Sequence, residues 1–190
     1  MSNISAFRSV VDAENCLFHT AGENLLQTGF GGLYNFRHCT FANYGSRNLD
    51  HRDPNISVSN AIQVAVSDTE AEILTVESNV SFANCIVHGG LEEEIFLANQ
   101  LDGGAPINAV FENCLLRTEI GQDSSIFVNS LFNPDPMDTL FVNRQESDFH
   151  LNVLSPAIDA GNPNIANFPL FDIENKSRGS MPDLGCFEFE

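Results

Sequence analysis

One bent apolar unit recurs along this chain and limits the folds open to it. Its copies are Asn15-Cys-Leu-Phe18, Phe36-Arg-His-Cys-Thr-Phe41, Phe82-Ala-Asn-Cys-Ile-Val-His88, Phe111-Glu-Asn-Cys-Leu-Leu116 and Phe127-Val-Asn-Ser-Leu-Phe132. Aligned on Cys16, Cys39, Cys85, Cys114 and Ser130, four copies carry Phe three residues earlier, and all five carry an apolar residue two residues later. Positions minus three and zero have opposite parity, so a straight strand would send them to opposite faces. A single left-handed residue between them resets the parity. Asn tolerates that conformation better than other non-glycine residues. Asn15, Asn84, Asn113 and Asn129 stand at that position, and His38 takes it in the second copy.

The spacings suggest stacking. Cys16 to Cys39 is 23 residues, Cys39 to Cys85 is 46, or twice 23, and Cys85 to Cys114 is 29. A skipped coil is therefore expected near residue 62, where Ile56-Ser-Val-Ser-Asn-Ala-Ile-Gln-Val-Ala-Val66 alternates cleanly. Repeats of this length signal solenoids, because one unit cannot bury its apolar face alone. The pattern lacks the regular leucines of a leucine-rich repeat. It predicts an all-β fold: a right-handed single-stranded parallel β-helix, a solenoid of the pectate-lyase type. The sixteen Phe residues would form internal stacks, although a sandwich core would also use them.

Residues 1–143 are expected to form the coils. Their regularity ends near Asn133-Pro-Asp-Pro136, because proline cannot sit inside a ladder. Residues 144–190, with several Pro, Asn and Gly residues, are expected to be an irregular cap of the same domain. This cap would fold back over the last coil and place Phe187 and Phe189 in a final short strand. Gly29-Phe-Gly-Gly32 reads as turn material, since the Lys-Ser/Thr ending of a phosphate loop is missing. No capping segment precedes the first coil, so further upstream coils, or an end-to-end partner at this coil, are expected.

Charge and cysteine content narrow the function classes. The chain carries 26 acids against 8 bases, a formal charge of −18, with Lys176 its only lysine. This opposes nucleic acid and anionic membrane as partners. Calcium is compatible with clustered acids, yet no twelve-residue calcium loop is present. No metal site is expected from the five cysteines, none of which forms a Cys-x-x-Cys pair. Four of them share one repeat position and read as a column of small hydrophobes, with disulfides between adjacent coils as the alternative. No apolar run is long enough to span a membrane, and the N-terminus has no signal-peptide pattern.

Candidate ligand-binding residues lie where basic groups gather. The polar stretch 43–56 holds Arg47, His51 and Arg52, and reads as a loop projecting from a rigid scaffold. Arg117 and Glu119 lie just after a strand. His19 and His88, three coils apart by the same count, do not form a metal pair. No cluster of acid, base and arginine supports a catalytic assignment.

The ending carries a resemblance. Ser155-Pro-Ala-Ile-Asp-Ala-Gly161 and Pro182-Asp-Leu-Gly-Cys-Phe-Glu188 flank Asp172-Ile-Glu-Asn-Lys-Ser-Arg178, and Asp138-Thr-Leu-Phe-Val142 and Asp148-Phe-His-Leu-Asn152 precede them. Together with the coils, these resemble secreted, Bacteroidetes-like right-handed parallel β-helix repeat proteins with a choice-of-anchor Q type ending. Glu174 and Asn175 depart from the Asp and Gly usual there, and Cys186 replaces a small residue. Asp159, Asp172 and Asp183 read as turn caps, or as partners of Arg178. The resemblance implies an extracellular or cell-surface parent protein from which this chain is an excised C-terminal part. It also implies a polysaccharide or cell-surface glycan as ligand. The expected function is a non-catalytic domain, structural or glycan-contacting. The alternative is the C-terminal part of a polysaccharide lyase or glycoside hydrolase.

Overall fold

The computed structural model describes residues 2–67, 69–99, 102–121, 124–132 and 139–189. Among them the regular structure is strand, with one 3-10 turn at Arg144–Glu146 and no α-helix, hence none that could cross a membrane. The first repeat unit forms β1 (Ile4–Glu14) and β2 (Leu17–His19), and the second forms β3 (Leu26–Arg37) and β4 (Thr40–Asn43). Next come β5 (Ile56–Ser59), the pair β6 (Ala61–Ala65) and β7 (Ala71–Thr75), then β8 (Ser78–Ala83) and β9 (Ile86–Gly89). The later units give β10 (Ile95–Ala98), β11 (Ile107–Glu112), β12 (Leu115–Leu116), β13 (Phe127–Val128) and β14 (Leu131–Phe132). A separate antiparallel pair, β15 (Phe141–Asn143) and β16 (Asp148–Leu151), follows.

Two parallel sheets run through the repeat units. In the first, Ala13, Phe36, Phe82, Phe111 and Phe127 lie side by side. In the second, Phe18, Phe41, Val87, Leu116 and Phe132 do. The Phe36 and Phe82 rings stack at 5.0 Å and the Phe82 and Phe111 rings at 4.8 Å. Those distances follow the spacing of neighbouring strands, so the ladder itself sets the ring stack.

The corner between the sheets is one left-handed residue per unit. Asn15, His38, Asn84, Asn113 and Asn129 have φ of 50°, 47°, 53°, 50° and 50°. The thiol behind each corner is more than a small hydrophobe. Cys85 Sγ donates to Ala83 O at 3.3 Å and Phe36 O at 3.5 Å, and Cys114 Sγ repeats the pattern with Glu112 O and Phe82 O. Ser130 Oγ makes the same two bonds, to Val128 O and Phe111 O. Ala83 O, Glu112 O and Val128 O also accept the backbone N–H of His38, Asn84 and Asn113, so the thiol or hydroxyl adds a second bond at each corner carbonyl. All five cysteines are free thiols, and burial pushes Cys39 and Cys85 well above the ordinary thiol range.

Three expectations are corrected. No coil lies between Cys39 and Cys85, because Thr40, Phe41 and Ala42 pair directly with Ile86, Val87 and His88. Residues 61–75 are instead the β6–β7 hairpin, inserted between β5 and β8. Those two strands lie end to end beside the single strand β3, with Val58 opposite Thr28 and Ser78 opposite Gly32. β10 and β11 repeat the arrangement in the next layer. His19 and His88 are therefore two units apart, not three. The turn expected at Gly29–Gly32 is a bulge inside β3: Phe30 and Gly31 have φ of 56° and 79°, opposite Arg8 in β1.

The third correction concerns the C-terminal segment, which lies against the outer face of the second sheet. Strands β4, β9 and β12 are buried on both faces, and Ala42, Ile86 and Leu115 look outward. Leu140, Phe141, Phe149, Leu151, Leu184 and Phe187 cover them in a second apolar cluster. A strand with apolar residues at both parities demands cover on both sides, which explains the lateral placement. Phe187 belongs to no strand, and Phe189 is half-exposed. The prolines at 134 and 136, Leu101 and Asp138 lie outside the described residues. β1 is the outermost strand beside β3, with Phe7 and Val10 exposed.

Candidate functional site

The stretch after β4 forms a built loop. Asn43 is buried and donates from Nδ2 to Ala21 O, while its Oδ1 accepts from Gly45 N. Ser46 and Leu49 exchange backbone hydrogen bonds of 2.8 and 3.2 Å, which leaves Arg47 and Asn48 as a two-residue tip. Arg47 is exposed there. Arg52 is also exposed and pairs with Asp50. His51 turns the other way. Its side chain is only 4% exposed, with Nε2 3.3 Å from the fully buried Glu94 carboxylate. Glu94 also accepts from Leu91 N at 2.9 Å and Asn55 N at 3.1 Å. A buried carboxylate persists only with partners of this kind. Gly89 makes room for it, since a Cβ there would collide with Glu94 Oε1.

Beneath the loop lies His88, on the outward face of β9. Its Nδ1 and the Tyr44 hydroxyl share a 2.7 Å hydrogen bond. Burial, then the charges of Arg117 and Arg144, lower its pKa to about 3, so the ring is neutral. The Arg144 guanidinium sits 5.0 Å from the Tyr44 ring centroid, a cation–π distance. Arg144 opens the 3-10 turn, and the Asn143 side chain caps that turn by accepting from Glu146 N. Phe149 stacks on Tyr44 at 6.4 Å. The lateral C-terminal segment thus carries Arg144 to a loop a hundred residues earlier in the chain.

Two adjoining clefts flank the loop. One, of about 500 Å³, is lined by Tyr44, Arg47, Arg144 and Gln145, with Gly45, Ser46 and Gly90. The other, of about 450 Å³, shares Tyr44 and Gly90 and reaches His51, Arg52, Asp50 and Leu91. Both volumes suit a small-ligand site. Among the described residues, no three His, Cys, Asp or Glu side chains converge as metal ligands.

The sequence-derived candidates divide. Arg47, His51 and Arg52 come together at the clefts. Arg117 is tucked beneath the 89–94 turn, with Nε donating to Leu91 O at 2.6 Å, and Glu119 is exposed with its N–H on Glu93 Oε2. Neither lines the two clefts. The turn and cap candidates gather along the corner row. Asn84 exchanges hydrogen bonds with Asn162 and reaches His38 Nε2 at 2.9 Å. Arg178 is buried, donates to Asn15 Oδ1 and Gly185 O, and pairs with Glu188. Asp172 accepts from the N–H groups of Glu174, Lys176 and Glu188. Asp183 accepts from Asp159 N and Phe189 N, so Asp159 (φ 57°) supplies the turn and Asp183 the cap.

Sequence reasoning did not single out Tyr44, Arg144 or Glu94. Tyr44 is one of two tyrosines and lies within the polar stretch 43–56, which was the one available signal. Arg144 carried none, because its position depends on where the C-terminal segment lies. No family model, curated protein or solved structure matches the chain.

Proposed function

We propose that this chain is a right-handed parallel β-helix domain of an extracellular or cell-surface protein, and that it contacts a glycan non-catalytically at the clefts beside residues 44–52. The parallel register of five repeat units supports the fold, as does the resemblance of the closing segment to secreted β-helix proteins. The observation that carries the function is the loop itself. In a chain of formal charge −18, Tyr44, Arg47, His51, Arg52 and Arg144 converge on two adjoining clefts. Guanidinium groups held beside a turn closed by backbone hydrogen bonds are suited to reading hydroxyl and acidic groups of a saccharide. A binding and product-release screen on neutral and acidic polysaccharides, with and without calcium, tests the reading. Saturable binding without product, weakened by Arg47→Ala, is expected. Reproducible product release would replace it with the enzyme reading, and binding to nothing in the screen would overturn it.

A further inference from the structure

The β6–β7 hairpin has the sequence pattern of a covered sheet face, yet that face is bare. Ile62, Val64 and Val66 alternate along its first half, the signature of a half-buried strand. Leu74 stands opposite Ile62 and carries the apolar strip onto β7. These four residues are nevertheless 41%, 38%, 52% and 43% exposed, in the same order. β6 and β7 form a two-stranded sheet of their own, and such a sheet is marginal in water unless one face is packed. The core of this layer does not call on them, because β5 and β8 already fill the places beside β3. An apolar strip left exposed in this way marks an interaction surface.

The rest of the face is acidic. Glu72 stands opposite Val64, and Val66 N donates to Glu70 O at 2.9 Å, so Glu70 lies beside Val66. Residues 61–76 contain three acids and no Lys or Arg, and neither basic residue occurs anywhere between Arg52 and Arg117. Two copies of this face would bring like charges together, which opposes self-pairing, and an anionic surface is opposed for the same reason. Complementarity selects a partner that is apolar and basic at once.

We propose that the hairpin is a docking arm for another protein. An extended segment of that partner, alternating apolar and basic side chains, lies on the Ile62, Val64, Val66 and Leu74 face with its cations against Glu70 and Glu72. This surface is separate from the clefts beside residues 44–52, and the proposal does not rest on the glycan reading.

The test follows the amide chemical shifts of the whole, isotope-labelled chain during titration with three peptides of equal length. One alternates valine with lysine, one valine with glutamate and one serine with lysine. The valine–lysine peptide is expected to saturate, to shift the amides of β6 and β7, and to bind about tenfold tighter than either control. Leu74→Ser should weaken it about tenfold, the effect of losing one large apolar contact. Glu72→Gln should weaken it about threefold, in line with one exposed ion pair, and keeps the test decisive if Leu74→Ser melts the hairpin. Glu14→Gln makes the same change in net charge at an exposed position on β1 and should leave binding unchanged. Removal of residues 61–76 should abolish binding. No saturation by the valine–lysine peptide would overturn the proposal. Equal binding of the serine–lysine peptide would reduce the effect to net charge and overturn it, as would shifts confined to residues outside the hairpin. Concentration-dependent self-association in sedimentation, lost with Leu74→Ser, would make a second copy the occupant and also overturn it.

Discussion

At Asn84 three demands fall on one residue. Its backbone turns the corner at φ 53°, its Oδ1 accepts from Asn162 N at 2.8 Å, and its Nδ2 donates to Asn162 O and meets His38 Nε2. Asn113 makes the same corner at φ 50°, yet its buried Oδ1 has no partner among the described residues. Glycine removes the side chain and keeps the turn, so the two positions should respond differently. Asn113→Gly is expected to change stability by less than about 1 kcal/mol. Asn84→Gly is expected to cost about 2–3 kcal/mol, because the groups around Asn162 lose partners in a partly buried setting. Urea denaturation of both variants checks this, and equal losses would remove the anchoring role of Asn84. The corner was legible in the sequence because its logic is local: parity between Phe82 and Cys85 requires one reset residue. The anchoring was not legible, since Asn162 is 78 residues away.

Among the elements, the β6–β7 hairpin shows why spacing misled. An alternating strand of an inserted hairpin has the same period of two as a strand of a coil, so Ile56–Val66 fitted either reading. The 46-residue interval is one unit plus an insertion, and its match to twice 23 is a coincidence. The register makes the insertion separable. With Val58 opposite Thr28 and Ser78 opposite Gly32, removal of residues 61–76 leaves Ser59, Asn60 and Glu77 to stand opposite Gly29, Phe30 and Gly31. That shortened chain is expected to fold cooperatively, with a melting temperature within about 5 °C of the parent, a shift corresponding to roughly 1–2 kcal/mol at this size. Thermal melting followed by circular dichroism tests it. Loss of the cooperative transition would make the hairpin part of the core. The C-terminal segment teaches a related lesson. The apolar residues at both parities of Cys39–Ala42, Cys85–Val87 and Cys114–Leu116 already signalled a two-sided burial that an end cap cannot supply.

For the whole molecule, stability is tied to two neutral imidazoles. Burial, then the Arg178 charge, lowers His38 to about 3, and burial with Arg117 and Arg144 does the same to His88. The folded chain keeps both rings unprotonated, whereas the unfolded chain protonates them near pH 6.5. The unfolded state therefore binds more protons as pH falls from about 6.5 towards 3, and stability falls with it. Each ring contributes on the order of 1.4 kcal/mol per pH unit at the limiting slope. Between pH 6.5 and 5 most carboxylates remain charged, so relief of acidic self-repulsion does not yet mask the loss. Urea midpoints are expected to fall across that interval. His38→Asn, which keeps a residue suited to the corner, should flatten the dependence, and an unchanged slope would contradict the assignment.

The candidate cleft belongs to this scale too. Arg47, His51 and Arg52 were legible as a basic loop in an acidic chain. Arg144 and Tyr44 meet only because the C-terminal segment runs along the second sheet, a placement set by burial across the molecule. The parallel register that creates this arrangement is most directly tested by nuclear Overhauser contacts in an isotope-labelled sample. Contacts are expected between the neighbouring pairs Phe41 and Val87 and Val87 and Leu116, with Val64 paired only to Glu72 within its hairpin. Contacts placing Ile62 or Val64 between Phe41 and Val87, or antiparallel contacts joining β4 to β9, would contradict it.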